Sequence, residues 1–329
     1  VTTTLKPIAM PTAGSPEGLL EAGTDFLSLR TLSRDGLRDL VELSLLAKAE
    51  PSRFSKALSG TSVALLFEKA SLRTRAAFEV GINRLGGHSV YFDHNAGRLG
   101  ERESVSDYAK NLERWFGLIV ARTYRHATIE KLADASSVPV INALSDASHP
   151  CQALADTLTL VEHLGGFDAL RGQKVAFVGD GNNVCVSFAR AMALCGCETV
   201  VIAPEGYGIE DDIQAEIRAA ANANGGVFES GADVSLVSGA RAVYTDVWVS
   251  MGHEESVATR TRAFEPYRVD SSLMSHAADD ALFLHCLPAK RGLEVTDEVI
   301  DAPGSVVFDQ AENRMHTQNA VLLRQLGKA

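Results

Sequence analysis

The sequence predicts an α/β protein made of two doubly wound parallel-sheet domains linked by helices. Three observations carry that expectation. Short apolar runs, such as residues 62–67 and 174–178, alternate with longer stretches whose apolar residues recur at helical spacing. Alternation of this kind implies a parallel sheet covered by helices. At 329 residues the chain is longer than one typical core, so two domains are the natural division. The polar clusters fall where apolar runs end, and doubly wound sheets bind their ligands at the carboxyl ends of strands.

Element by element, residues 1 to about 22 are rich in Pro, Gly and Thr and read as a loose arm. Residues 36–49 form an amphipathic helix. A strand over 62–67 is followed by a helix over 71–85, with apolar residues at Ala77, Phe78, Ile82 and Leu85, and by a short strand over 89–92. A helix over 104–115 opens with the capping pattern of Ser104 and Asp107. A strand over 117–121, a helix over 127–135 and a strand over 138–142 complete the first domain, residues 1–150. A long helix over 151–164 leads to Gly165-Gly166, a candidate hinge. The second set alternates strand 174–178, helix 184–194, strand 199–203 and helix 210–221. Strands over 242–245, 282–285 and 306–308 follow. The second domain is expected over 151–311. A closing helix, 312–329, returns to the first domain.

Composition narrows the function. A hydrophobic content of 46% with 22% charged residues is that of a globular enzyme. The net charge of −11 argues against nucleic-acid binding, which needs a basic face. It leaves room for a small anion, because a few converging arginines set the local field. Five cysteines without disulfide-scaffold spacing fit reduced thiols. Cys195-Gly-Cys197 lacks zinc-knuckle spacing and a nearby His. No apolar run reaches membrane-spanning length, and the first residues carry neither a signal-peptide core nor an Arg-rich transit pattern. The expected location is the cytoplasm, without a membrane partner.

Ser71-Leu72-Arg73-Thr74-Arg75 places two hydroxyls and two guanidiniums where a strand ends and a helix begins. Free backbone N–H groups and the positive helix end favour an anion there, and arginine forks match phosphate oxygens. The competing reading is that Ser71 only caps the helix and the arginines are solvated. Val178-Gly179-Asp180-Gly181-Asn182-Asn183 also joins a strand to a helix. It lacks the third glycine of a dinucleotide fingerprint, and its asparagines suit a small polar ligand. His149-Pro150-Cys151-Gln152 begins the inter-domain helix, where a neutral imidazole can donate to a carbonyl oxygen or simply be structural. Asp246 ends the strand 242–245 and either holds a ligand amine or caps the next segment. In His285-Cys286-Leu287-Pro288 the proline restricts Leu287 and admits a cis bond, while a lone cysteine is commonly plain packing.

Taken together and in this order, these residues resemble the aspartate/ornithine carbamoyltransferase family, from about Phe26 to Leu326. Residues 67–75 look like its carbamoyl-phosphate loop, usually Ser-Thr-Arg-Thr, with Leu72 departing at the second position. Residues 121–123 look like the segment whose arginine, here Arg122, reaches the carbamoyl group. Residues 149–152 match its His-Pro-x-Gln, and Arg314 matches an arginine that closes on the phosphate. Asp246 with Ser250-Met251-Gly252, residues 285–288 and residues 179–183 resemble the ornithine version rather than the aspartate one. Where many members carry Gln before Leu-Gly, this chain has Arg98.

The resemblance implies a carbamoyl-phosphate site of Ser71, Leu72, Arg73, Thr74, Arg98, Arg122, His149, Gln152, Cys286, Leu287 and Arg314. It implies an ornithine site of Asn183, Asp246, Ser250 and Met251. The catalytic set would be Asp246, Cys286, Arg122 and His149, with Asp246 and Cys286 orienting the amine and taking its proton. Carbamoyl phosphate and L-ornithine would be the substrates, with no metal or organic cofactor. The assembly would be a homotrimer or a multiple of one, with the Arg98 loop reaching a neighbour's site. The alternatives are a carbamoyltransferase for putrescine or an acylated ornithine, a nucleotide-binding oxidoreductase, and a non-catalytic protein on the same fold.

Overall fold

The computed structural model describes residues 18–93, 98–249 and 257–329. It contains two parallel sheets. The first joins β1 (Ser62–Phe67), β2 (His88–Asp93), β3 (Leu118–Arg122) and β4 (Val140–Leu144) in the order β2-β1-β3-β4. The second joins β5 (Lys174–Val178), β6 (Glu198–Ile202), β7 (Val227–Gly231), β8 (Ala242–Thr245) and β9 (Leu282–His285) in the order β7-β6-β5-β8-β9. Chain order reverses between β1 and β3 in one sheet and between β5 and β8 in the other. Those switch points are where a doubly wound sheet opens a ligand crevice. The segments 68–75, 122–123, 179–183 and 246 emerge at these points.

The helices start and stop for local reasons. Ser33 caps α1 (Arg34–Ala49) by accepting from Gly36 N, so this helix begins before residue 36. Ser71 caps α2 (Leu72–Arg84), and Ser104 caps α3 (Val105–Leu112) by accepting from Asp107 N at 3.0 Å. After α4 (His126–Ala135), Pro150 occupies the first turn of α5 (Pro150–Leu164). Gly165, at φ +92°, ends α5 in the left-handed conformation that glycine adopts without strain. α5 is buried without a break from Pro150 to Val161, packing against α1, α6 (Asn183–Cys195) and β4. Its surface therefore joins the two sheet layers into one core. α7 (Asp211–Ala223) covers the second sheet. The shorter α8 (Val257–Phe264), α9 (Ser271–Met274) and α10 (Asp297–Ile300) precede the closing α11 (Val307–Gln325). α11 returns to pack on α5, α1 and α2.

Two expectations fail. The strand over 306–308 does not exist, because α11 begins at Val307 and only Ser305 bridges to Phe283. The inward residues that follow at helical spacing, Gln310 and Arg314, are polar, so apolar periodicity hides the turn. The sequence also gave no sign of β7. Its exposed and buried residues mix as suits an edge strand, which lacks the continuous apolar signature of central ones. Residues 18–23, expected within a loose arm, are held to the body of the protein. The Gly18 carbonyl accepts from Ser33 N at 2.9 Å, Leu20 is buried, and Gly23 N donates to the Gln325 carbonyl at 2.8 Å. Among the described residues no helix is long and apolar enough to cross a membrane.

Candidate active site

Two buried arginines, Arg122 and Arg314, and the half-buried Arg73 gather beyond the ends of β1 and β3. Thr74, one turn into α2, faces inward, and its hydroxyl accepts from Arg314 Nη2 at 3.0 Å and Arg122 Nη1 at 3.4 Å. Arg314 Nη1 reaches Gln152 Oε1 at 2.5 Å, so α11, α2 and α5 meet at one guanidinium, and Arg122 joins β3 to them through Thr74. Burial lowers the Arg73, Arg122 and Arg314 pKa values. Arg122 falls to about 10, chiefly by desolvation, with Arg314 and Arg73 adding repulsion. The Nε atoms of Arg122 and Arg314 are buried without an acceptor among the described residues. Buried charged donors normally find partners, so this geometry suits an anion.

Ser71 accepts from Thr74 N at 3.3 Å, so the capping reading is correct for that side chain. Its position at the positive end of α2 is unchanged by that role. Leu72 is 79% exposed, leaving only its backbone to serve a ligand. Arg75 departs from the expected convergence. It pairs with Glu79 at 2.9 Å and lies 3.6 Å from the Tyr91 ring centroid. Arg98 stacks over Tyr124 at 4.8 Å and makes no described contact with the Thr74 cluster. Lys69 lies over the same ring at 4.5 Å. Buried Glu68 fixes this corner by accepting from Leu99 N and Tyr124 N, both at 2.8 Å.

His149 sits at the amino end of α5, its backbone N–H held by Ser187 Oγ at 2.9 Å. Desolvation, then Arg314 and Arg122, push its pKa well below the ordinary value, so the imidazole is neutral. Its Nδ1 has no partner among the described residues.

The second sheet supplies the opposite wall. Cys286 Sγ donates to Asp246 Oδ1 at 3.0 Å, and Asn182 Nδ2 donates to Asp246 Oδ2 at 3.0 Å. Burial and Asp246 hold the thiol well above its usual range, so Cys286 is neutral. The expected proton-accepting role of Cys286 therefore narrows: it is a thiol donor, and the carboxylate is the available base. Leu287 has φ +57° and a cis bond to Pro288. A non-glycine residue in that region is disfavoured and clusters at functional turns. The turn is held by Leu287 N donating to His285 Nδ1 at 2.9 Å, with buried Glu294 3.4 Å from His285 Nε2. The donor atoms of Asp246, His285 and Cys286 lie within 4.8 Å of one another, but these hydrogen bonds already engage them. Asn183 Nδ2 donates to the Ser145 carbonyl at 2.5 Å. Ser250 and Met251 lie outside the described residues.

The Gly-x-Gly turn has a packing cause. A Cβ on Gly181 would come within 2.4 Å of the Gly208 backbone, and Gly181 N donates to the Tyr207 carbonyl at 2.8 Å. Segment 207–209 thus lies directly on the turn, where a dinucleotide reading would need an open approach.

Two family models cover this chain. Aspartate/ornithine carbamoyltransferase, carbamoyl-P binding domain, matches residues 24–162. Aspartate/ornithine carbamoyltransferase, Asp/Orn binding domain, matches residues 171–324. The chain belongs to the aspartate/ornithine carbamoyltransferase family. It is similar to an ornithine carbamoyltransferase of Shewanella oneidensis, 49% identical over 298 residues, covering 91% of this chain and 98% of that protein. An anabolic ornithine carbamoyltransferase of Pyrococcus furiosus is 44% identical over 312 residues, 93% of this chain and 97% of that one. The solved ornithine carbamoyltransferase structure from Pyrococcus furiosus superposes with a TM-score of 0.89 at 43% identity, covering 93% and 98% of the two chains.

Proposed function

We propose that the chain transfers the carbamoyl group of carbamoyl phosphate to the side-chain amine of L-ornithine, giving L-citrulline and phosphate. The observation that carries this reading is the arginine–Thr74 cluster at the end of one sheet, together with a hydrogen-bonded Cys286–Asp246 pair at the strand ends of the other. One wall suits an acyl phosphate and the other suits an amine. Similarity to ornithine carbamoyltransferases over nine-tenths of the chain supports ornithine as acceptor, and the anabolic relative supports a place in arginine synthesis.

Ser71, Arg73, Thr74, Arg314 and the Leu72 backbone hold the phosphate, and Arg98 is assigned to the same anion from a neighbouring subunit. Arg122, His149 and Thr74 face the carbamoyl oxygen. Negative charge builds there as the amine attacks, and each fixed donor at such an oxygen contributes roughly 3 kcal/mol in other acyl transfers. Neutral His149 donates without adding a fourth cation to the cluster. The carbonyl oxygens of Gln152 and Leu287 accept from the carbamoyl NH₂. A free side-chain amine titrates near 10, so it must lose a proton before attack. Asp246 takes that proton, while Cys286 steadies the carboxylate. The nitrogen–carbon bond forms and the carbon–oxygen bond to phosphate breaks. Asn183, Ser250 and Met251 hold the amino-acid head group.

Residues 1–150 with helix 312–329 form the carbamoyl-phosphate half, and 151–311 the ornithine half. The proposed assembly is a homotrimer or a multiple of one. The proposed compartment is the cytoplasm, supported by the five free cysteines. Purified protein given carbamoyl phosphate and L-ornithine should release citrulline and phosphate in equal amounts without added metal or NAD. Phosphate release without citrulline would refute the reading.

A further inference from the structure

A buried carboxylate outside the expected site ties the two walls together. Asp156 lies one turn beyond Gln152 on α5 and has no solvent exposure. Its Oδ1 accepts from Gln152 Nε2 at 2.8 Å, Gln310 Nε2 at 2.6 Å and the Tyr244 hydroxyl at 3.4 Å. A glutamine amide has a donor side and an acceptor side. With both NH₂ groups fixed on Asp156, both carbonyl oxygens must turn away from it. Gln152 Oε1 is directed at Arg314 Nη1, 2.5 Å away. Gln310 Oε1 accepts from His285 N at 3.0 Å, and His285 Nδ1 in turn accepts from Leu287 N at 2.9 Å. Flipping Gln152 would set its NH₂ against the Arg314 donors and its oxygen against the Asp156 oxygen. Both contacts would be lost at a buried position, where an unmade hydrogen bond is costly.

We propose that Asp156 is a positioning residue for carbamoyl recognition: it orients the Gln152 oxygen directly and the Leu287 turn through Gln310 and His285. The proposal rests on the carbamoyl-phosphate reading of the site. The required property is an acceptor at Oδ1, rather than a full charge. Burial raises the Asp156 pKa to about 7 even though the amide donors, Arg314 and Tyr244 oppose that rise. Oδ2 has no partner. Asparagine can therefore supply the same acceptor, and leucine cannot.

The test compares the KM for carbamoyl phosphate, at saturating L-ornithine, with the Ki of inorganic phosphate as competitor. The phosphate lacks the amide that Gln152 and Leu287 address. Asp156→Leu should raise the KM about 10-fold or more while leaving the phosphate Ki within about 3-fold, the effect of losing one well-placed hydrogen bond. Asp156→Asn should keep both constants within about 3-fold of wild type. Gln310→Leu, which spares the Asp156–Gln152 contact, should raise the KM several-fold with an unchanged phosphate Ki, and it decides the matter should Asp156→Leu not fold. Equal shifts of KM and Ki in these variants, or an unchanged KM with only a lower melting temperature, would overturn the proposal. A wild-type enzyme that forms no citrulline would overturn the site reading and this inference with it.

Discussion

Replacing Arg122 by methionine should stabilise the ligand-free protein and leave a phosphate response in place. The partners described for Arg122 and Arg314 are the neutral Thr74 hydroxyl and Gln152 amide oxygen. Holding Arg122 at about 10 rather than 12.5 costs on the order of 3 kcal/mol, at 1.36 kcal/mol per unit. The folded pKa lies below the unfolded one, so the folded state disfavours the proton. At pH 7 the arginine is protonated in both states, and the penalty is present in full. It would lift only as pH rises through 10 toward 12.5. Methionine removes the charge and keeps most of the length. Losing the long 3.4 Å contact to Thr74 returns about 1 kcal/mol, leaving a net gain of about 2 kcal/mol. At about 2.1 cal/mol/K per residue, that gain raises Tm by roughly 3 °C for a chain of 329 residues. Phosphate at 100 times its Kd should add about 2.7 kcal/mol, or roughly 4 °C, to either protein, because the groups assigned to the phosphate are kept in the variant. Thermal melts with and without phosphate read both quantities. A variant that melts lower than wild type in phosphate-free buffer would refute the electrostatic reasoning, and one that loses the whole phosphate-induced rise would refute the assignment of Arg122 to the carbamoyl oxygen.

Three further outcomes are expected. Asp246→Asn should reduce kcat/KM for ornithine far more than for carbamoyl phosphate, with part of the loss recovered at higher pH, where more of the amine is neutral. Unchanged kinetics in a protein that merely melts earlier would reduce Asp246 to a structural acceptor for Cys286 and Asn182. His149 is held well below 6.5 in the folded state, so the stability it contributes is complete above 6.5 and declines as pH falls below that value. His149→Gln should accordingly show a shallower loss of Tm between pH 6.5 and 5 than wild type, and an equally steep loss would contradict the neutral imidazole. Mixing Arg98→Ala with Arg73→Ala subunits should restore activity if sites are shared between subunits, whereas confirmed subunit exchange without recovery would argue for complete sites within each chain.

The legibility of the fold followed burial. Central strands such as β5 and β8 are unbroken apolar runs, and the residues marking their ends could be read directly. Edge strand β7 mixes exposed and buried positions and left no such mark. The start of α11 was hidden because its inward face carries Gln310, Asn313 and Arg314 instead of aliphatic residues. Site residues showed the same division. Ser71, Arg73, Thr74, His149 and Gln152 occur in short contiguous segments whose geometry is set by one strand end or one helix start. Asp156 and Gln310 act through other side chains, and nothing local announces them beyond the one-turn spacing of Gln152 and Asp156. The direction taken by Arg75 was foreseeable, since Glu79 stands four residues along the same helix.

The central claim, carbamoyl transfer to ornithine, is tested most directly by giving the purified protein carbamoyl phosphate with L-ornithine, N-acetyl-L-ornithine, putrescine or L-aspartate at equal concentrations. The carbamoylated product of each would be quantified from initial rates. The expected result is a kcat/KM for L-ornithine at least about 100-fold above that of every other amine, since a buried site rejects an acceptor that leaves its polar groups unpaired. Comparable or faster carbamoylation of putrescine, N-acetyl-L-ornithine or aspartate would contradict it.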